Sequence, residues 1–427
     1  MTIALMLVGM FGLVFLGVPI AIALGIVAVV AMVATSGPGL LPNVALVMYT
    51  GATSFPLLAI PLFIFAGAIM NSSGISRRLI ALASALFGFV RGGLAMVNIG
   101  TSMFFAEISG SAVADVAAIG PILIPAMKRR GYPGAFAAAV TSSSATLAVI
   151  IPPSIPMILY AVMAETSVVQ LFVAGIIPGI IGGFGMMLLS YWFARRYGWP
   201  VEETFQLKRL WAAFKDAAWA FLLPVIILGG IFGGFVTATE GAGLAVVAAL
   251  LIGGVIYREL NFDHLIEAMV EGGIQTAVVM LLVAASALLG VYLTEQQMPQ
   301  RLAQGIAELT DSKYTVLALL NLFFLVIGLF LHSAAAIILV VPVVMPLVHL
   351  VGIDPVHFGL IVTLNLGIGQ QTPPVASVLI TACAVAKENI WDVTKVNVWF
   401  IGVLLTVLML VTYVPAIPLA LVELFYR

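Results

Sequence analysis

Apolar residues run from one end of the chain to the other, broken by short polar or Pro/Gly-rich stretches. Continuous apolar spans fall at about 3–34, 53–72, 133–163, 169–194, 217–236, 241–257, 272–293, 356–386 and 398–425. Runs of this length predict helices that cross a bilayer. Two regions break the pattern. Residues 92–128 hold two short apolar arms around Glu107-Ile-Ser-Gly-Ser111, and residues 314–350 hold two arms around Gly328-Leu-Phe-Leu-His332-Ser333. An arm of about 15 residues reaches roughly 23 Å, short of a hydrocarbon core of about 30 Å. Each region therefore predicts a re-entrant helical hairpin with a polar tip. Such a tip survives at membrane depth only when buried in protein or lining a water-filled cavity.

The two hairpin regions belong to an internal repeat. Gly120-Pro121-Ile-Leu-Ile-Pro125, Gly131 and Ile151-Pro152-Pro153-Ser154 recur as Val341-Pro342-Val-Val-Met-Pro346, Gly352 and Thr372-Pro373-Pro374-Val375. Four prolines and one glycine share one offset, 221 residues. Ser76-Arg77-Arg78-Leu79 and Pro299-Gln300-Arg301-Leu302, offset by 223, read as interfacial arm helices leading into the hairpins. The repeats span roughly 1–197 and 238–427. Between them, 198–237 reads as a cytoplasmic loop and a linking helix. The double prolines predict broken helices within 133–163 and 356–386. Paired Pro/Gly-interrupted segments in two halves mark the binding site of a secondary transporter.

Composition narrows the class. Hydrophobic residues make up 63% of the chain and charged residues 8%, against about 25% charged in soluble proteins. The expected fold is an all-α polytopic membrane protein in a lipid bilayer, with no soluble domain. Any part that captures substrate from solution must then be another chain. A net charge of −1 offers no face for nucleic acid. The single cysteine, Cys383, excludes an intrachain disulfide. The N-terminus lacks a basic n-region and a cleavage site, so the first helix is expected to stay.

Basic residues set the expected orientation. The longest polar loop holds Arg195, Arg196, Lys208, Arg209 and Lys215, which predicts a cytoplasmic loop. Two spans separate it from Lys128-Arg129-Arg130, so the base of the first hairpin is also expected inside. Five further crossings put the base of the second hairpin outside, which makes the repeats inverted. The same count gives an inside N-terminus, although residues 1–76 carry no charged side chain.

Three groups of residues could carry chemistry. The first is Ser109, Gly110 and Ser111 at the first tip, with Thr141-Ser-Ser-Ser144-Ala-Thr146 and the break at Pro152-Pro153. Proline frees upstream carbonyls, and carbonyls with hydroxyls form an all-oxygen cage that suits Na⁺. Alternatively, such hydroxyls join helices or bond back to their own turn. A first sodium site is expected from Ser109, Gly110, Ser111, Ser144 and Thr146. The second group is the inverted copy: Gly328, His332, Ser333, Asn365, Gly367, Gln370, Gln371 and Thr372 before Pro373-Pro374. Carboxamides in lipid are costly unless they face a site. A second sodium site is expected from Gly328, Ser333, Gly367, Gln370 and Thr372. The substrate is expected between the tips, near Pro153, Ser154, Asn365 and Pro374, where half-helix N-termini supply positive ends. The third group is the carboxylates Glu107, Asp115 and Glu240. Asp115 lies four residues after Ser111, on the same helix face, and could bind a cation or carry a proton. No nucleotide loop, zinc motif or catalytic triad appears. The serines of 141–146 have no nearby histidine in sequence, which weighs against an intramembrane protease.

Phe105-Ala-Glu-Ile-Ser-Gly-Ser-Ala-Val-Ala-Asp115 and Ile119-Gly-Pro-Ile-Leu-Ile-Pro125 carry a family resemblance. Gly17-Val-Pro-Ile-Ala, Pro61-Leu-Phe-Ile-Phe-Ala-Gly67, Gly131-Tyr-Pro and Ile151-Pro-Pro-Ser154 add to it. Over essentially its whole length the chain resembles the large (M, DctM-like) membrane subunit of tripartite ATP-independent periplasmic (TRAP) transporters. The resemblance implies an inner-membrane importer driven by Na⁺, working as an elevator. It also implies a small four-helix membrane subunit (DctQ-like) and a periplasmic substrate-binding protein that delivers an organic anion. C4-dicarboxylates are the default substrate, with sialic acids, 2-oxo acids and compatible solutes as alternatives. Some relatives fuse the two membrane subunits. Here the chain opens on the large-subunit helix, so a separate small subunit is expected.

Overall fold

The structure is a computed structural model that describes residues 3–199, 201, 204–307, 310 and 312–426. Among them it is all-α, with seven helices long and apolar enough to cross a membrane. The first half holds α1 (Ile3–Phe15), α2 (Ile20–Ser36), α3 (Leu41–Ala52), α4 (Ala59–Ser72) and the arm α5 (Ile75–Phe87). The first hairpin follows as α6 (Gly93–Ser109) and α7 (Ala112–Arg129). The broken helix is α8 (Gly134–Ala145) and α9 (Ile155–Met163), and α10 (Val168–Tyr197) closes the half. The link is α11 (Leu207–Pro224), which passes through a π-helical turn into the short α12 (Gly230–Phe232). The second half holds α13 (Ala238–Leu251), α14 (Phe262–Glu295), the arm α15 (Met298–Ala307) and the hairpin α16 (Lys313–Gly328) and α17 (Ser333–Leu350). Its broken helix is α18 (Pro355–Gly369) and α19 (Ser377–Ala386), followed by α20 (Ile390–Tyr413) and α21 (Ala416–Tyr426).

Two apolar spans differ from the sequence reading. The span 3–34 is two helices. Gly17 takes φ +85° and Pro19 follows, so the helix stops and restarts there. The count that gave an inside N-terminus treated this region as one crossing. The span 398–425 is likewise divided at Pro415, between α20 and α21.

Local chemistry explains the remaining boundaries. Gly110 ends α6 at φ +60°, and Ser111 caps α7 by accepting from Ala114 N at 3.5 Å. Ser154 Oγ caps α9 through Met157 N at 3.4 Å. Asp354 Oδ1 caps α18, accepting from Val356 N at 2.8 Å and His357 N at 3.0 Å, with Pro355 at the first helical position. Pro152–Pro153 and Pro373–Pro374 are both cis.

The helices pack in two groups. In one, α14 packs on α2, α3 and α4, and α4 packs on α13. In the other, α8 packs on α6, α7, α19 and α20, while α18 packs on α16 and α20. The arms run between the groups and are fixed differently. Arg78 of α5 pairs with Glu259 at 2.9 Å and Asp216 at 3.3 Å and lies 3.7 Å from the centre of the Tyr257 ring. Arg77 pairs with the same Glu259. These contacts clamp α5 to α11 and to the end of α13. The second arm, α15, packs its apolar face on α17.

Candidate functional site

Each hairpin tip meets the proline break of its own half. At the first, Gly110 O accepts Ile155 N at 3.4 Å. A Cβ on Gly110 would stand 2.8 Å from Pro153 O, so only glycine allows this approach. At the second, Leu329 O accepts Val375 N at 3.3 Å. Gly328 and Gly369 touch backbone to backbone, and a Cβ on Gly369 would stand 2.4 Å from Gly328 C. The broken helices also cross one another. A Cβ on Gly367 would meet Val149 Cγ2 at 2.7 Å and Thr146 Cγ2 at 3.0 Å.

The expected first-site residues occupy three environments. The side chain of Ser109 lies outside the described residues. Gly110 and Ser111 sit at the tip, against Pro153 and Ser154. Ser144 instead faces the first arm, where its Oγ and Ser102 Oγ share a hydrogen bond of 2.8 Å. Thr146 Oγ1 donates to Ser142 O at 3.1 Å and accepts from Gln371 Nε2 of the other half. The structure thus brings Thr146 to the second break and ties Ser144 to α6.

In the second group, Gly328 and Gly367 lie at the crossing just described. Ser333 is buried in the first turn of α17. Thr372 bonds back to Ile368 O at 3.1 Å. Gln370 is buried, with Nε2 free of any protein partner among the described residues. His332 is exposed at the start of α17, whereas His357 is buried with Nε2 2.7 Å from Val411 O.

Of the expected substrate residues, Ser154 Oγ donates to Val149 O at 2.8 Å while capping α9, so it shapes the break. Pro153 and Ser154 are buried, and Pro374 is exposed. Asn365 donates to Asn321 Oδ1 at 2.6 Å and to Ile361 O at 2.7 Å, which places it against the middle of α16 rather than at the tip. Asp115 is fully buried in the first turn of α7, where the helix dipole favours a carboxylate. Glu240 forms a capping box with Thr237, and its Oε2 accepts Thr237 N at 2.8 Å. No cluster of metal-ligating side chains occurs among the described residues.

One feature escaped the sequence reading. Gln371 Nε2 donates to Ser142 O at 2.7 Å as well as to Thr146 Oγ1. Asn397 Nδ2 lies 3.3 Å from both Gln371 O and Gln371 Oε1. Asn397 Oδ1 accepts from Ser143 Oγ at 2.6 Å. A buried ring of polar groups thus joins the two breaks. The available signal was Asn397 itself, a carboxamide at the edge of the apolar span 398–425. A cavity of about 740 Å³ lies elsewhere, lined by apolar side chains including Met6, Leu289, Phe323 and Leu347.

Two helical hairpins, two broken helices and a buried polar crossing at their breaks define a membrane transporter permease. Residues 7–417 match the family described as tripartite ATP-independent periplasmic transporter, DctM component, and the chain belongs to that family. It is similar to the isethionate TRAP transporter permease protein DctMQ of Oleidesulfovibrio alaskensis, at 44% identity over 406 residues. That match covers 94% of this chain but 64% of the longer relative. The C4-dicarboxylate TRAP transporter large permease protein DctM of Pseudomonas aeruginosa is 38% identical, with 90% of each chain covered. The sialic acid TRAP transporter large permease protein SiaM of Vibrio cholerae is 36% identical, covering 98% of this chain and 97% of its own. In fold the chain is similar to the Alcanivorax borkumensis YdaH transporter, with a TM-score of 0.66, 15% identity and 91% of each chain covered. The protein is thus a multi-pass permease of the bacterial inner membrane, and not an enzyme.

Proposed function

We propose that the chain is the large permease subunit of a cation-coupled importer that takes an organic anion from a periplasmic binding protein. The observation that carries this reading is the paired meeting of hairpin tip and proline break. At such a place half-helix N-termini face an anion, while unwound carbonyls and hydroxyls face a cation. Na⁺ suits the donors, which are hydroxyls, carboxamides and backbone oxygens near Ser111, Thr146, Gly328 and Gln370. Relatives are named for isethionate, C4-dicarboxylate, sialic acid and 2,3-diketo-L-gulonate. These differ in size and share an anionic group. C4-dicarboxylate remains the default substrate. A DctQ-like small membrane subunit joins α2, α4, α13 and α14 in a fixed scaffold. The hairpins and broken helices then slide as one body past α2, α4, α13 and α14, which gives alternating access in inverted repeats.

The test is uptake by the reconstituted complex. Saturable uptake should require the binding protein and should fall at least tenfold when K⁺ replaces Na⁺ at constant membrane potential. Full-rate uptake in K⁺ driven by a proton gradient would overturn the Na⁺ reading and turn attention to Asp115. Full-rate uptake by this chain alone would overturn the partner reading.

A further inference from the structure

Gln371 is placed where two halves of the molecule must agree. Its Nε2 donates to Ser142 O at 2.7 Å and to Thr146 Oγ1, at the end of α8, and Thr146 Oγ1 donates to the same Ser142 O at 3.1 Å. Its own carbonyl and Oε1 face Asn397 Nδ2 at 3.3 Å each, and Asn397 returns to α8 through Ser143 Oγ at 2.6 Å. Ser142, Ser143, Gln371 and Asn397 are 0% exposed and Thr146 is 1% exposed. Inside such a shell a lost hydrogen bond is not replaced by water.

The ring has a chemical consequence. A cation needs lone pairs, and a carboxamide nitrogen offers only hydrogens with positive partial charge. A cation that drew on Thr146 Oγ1 or Ser142 O would compete with Gln371 Nε2 for those oxygens and repel it. Loading at the first break therefore loosens Gln371. Gln371 lies two residues before Pro373, in the break whose Pro374 and Val375 are exposed and have room to move.

We propose that Gln371 is a positioning residue through which cation occupancy at the first break sets the shape of the second. The proposal rests on the cation-coupled reading above. By linkage the effect runs both ways, so substrate at the second break alters cation affinity at the first by the same factor.

The experiment uses the purified full chain with Cys383→Ala and a solvatochromic fluorophore on Val375→Cys. Na⁺ is titrated against K⁺ at constant ionic strength, and thermal stability is followed in parallel. In the parent protein, Na⁺ should raise the unfolding temperature and shift the fluorophore with the same midpoint. In Gln371→Leu, Na⁺ should still stabilise the protein, while the fluorescence amplitude falls at least fivefold. A merely structural role would lower the unfolding temperature and leave the amplitude alone. Wild-type amplitude and midpoint in Gln371→Leu overturn the proposal and leave the cation-coupled reading standing. Stabilisation by Na⁺ with no fluorescence change in the parent does the same. A parent that responds to Na⁺ in neither readout removes both readings together. If Gln371→Leu is not monodisperse, Ser143→Ala cuts the far leg of the ring. Its fluorescence midpoint should shift at least threefold, and an unchanged midpoint overturns the proposal.

Discussion

The two proline breaks carry the same dipeptide, and each donates one backbone hydrogen bond to its tip, in opposite surroundings. Around Pro152-Pro153 every residue from Ile151 to Tyr160 is buried. Around Pro373-Pro374 the chain is open, with Pro374 exposed, Val375 45% exposed and Phe330 of the adjoining tip 44% exposed. Local chemistry is thus repeated while packing is not. A backbone that needs its polar groups satisfied closes on itself in both halves. What seals one break is the neighbouring helices. Here α9 is wedged among α17, α18 and α10, whereas α19 leans on α7 and α8, and Pro374 and Val375 just before it are exposed. On the elevator reading this is one end state, and the second break is the side on which substrate enters or leaves.

The largest expected effect comes from adding one methyl group where each tip meets its break. Gly110→Ala forces a left-handed backbone, which costs roughly 1–2 kcal/mol, and drives Cβ to 2.8 Å from Pro153 O in sealed surroundings. It should cut the folded yield severely. Gly369→Ala meets Gly328 C at 2.4 Å, but its tip can back away toward open space. It should fold and lose at least tenfold in uptake, because the Leu329–Val375 contact opens. Size-exclusion profiles with parallel uptake assays check both. Equal losses of folded protein would show that the second break is as rigid as the first.

A smaller effect reads the exposure itself. In a Cys383→Ala background, Val375→Cys should react with a small maleimide at least tenfold faster than Ile155→Cys. Similar rates would erase the difference in environment. Conditions that reverse the ratio would instead identify the opposite end state.

Much of this architecture was legible in the sequence. Hydropathy located the arms, hairpins and spans because helices in lipid must satisfy their own backbone. The double prolines located the breaks because proline removes a donor and cannot continue a helix. The divided first span was legible in principle from Gly17-Val-Pro19, which sat inside a hydrophobic run long enough to mask it. The partners of the polar residues were not legible. Ser144 and Thr146 are two positions apart across the end of α8, yet one meets Ser102 and the other Gln371. Helical spacing says that they diverge but not what each meets. Gln371 and Thr146 are far apart in sequence, and only the crossing at Gly367 brings them together. Glu240 was one of three candidate carboxylates, with capping of a backbone as its alternative. Thr237, three residues earlier, carried the capping signal.

The smallest effect concerns a pair that obeys the repeat. Asn98 and Asn321 are offset by 223 residues, like the arms, and each joins the first arm of its hairpin to the broken helix of its own half. Asn98 Nδ2 donates to Thr141 Oγ1 at 2.6 Å, while Thr141 keeps its own donation to Ala137 O at 2.7 Å. Asn98→Leu therefore strands no donor and removes a buried oxygen, Asn98 Oδ1, that has no protein partner among the described residues. Asn321 does more, accepting from Asn365 Nδ2 at 2.6 Å and donating to Thr412 Oγ1 at 3.1 Å, so it holds three helices together. Hydrogen bonds between membrane helices contribute about 0.6 kcal/mol on average and up to about 1.7. Asn321→Leu should thus lower stability by about 1–2 kcal/mol, and Asn98→Leu by less than about 0.5. Thermal unfolding of both variants in one detergent decides the order. Equal shifts would mean that the halves share their polar ties as closely as their prolines, and that the asymmetry is confined to the breaks.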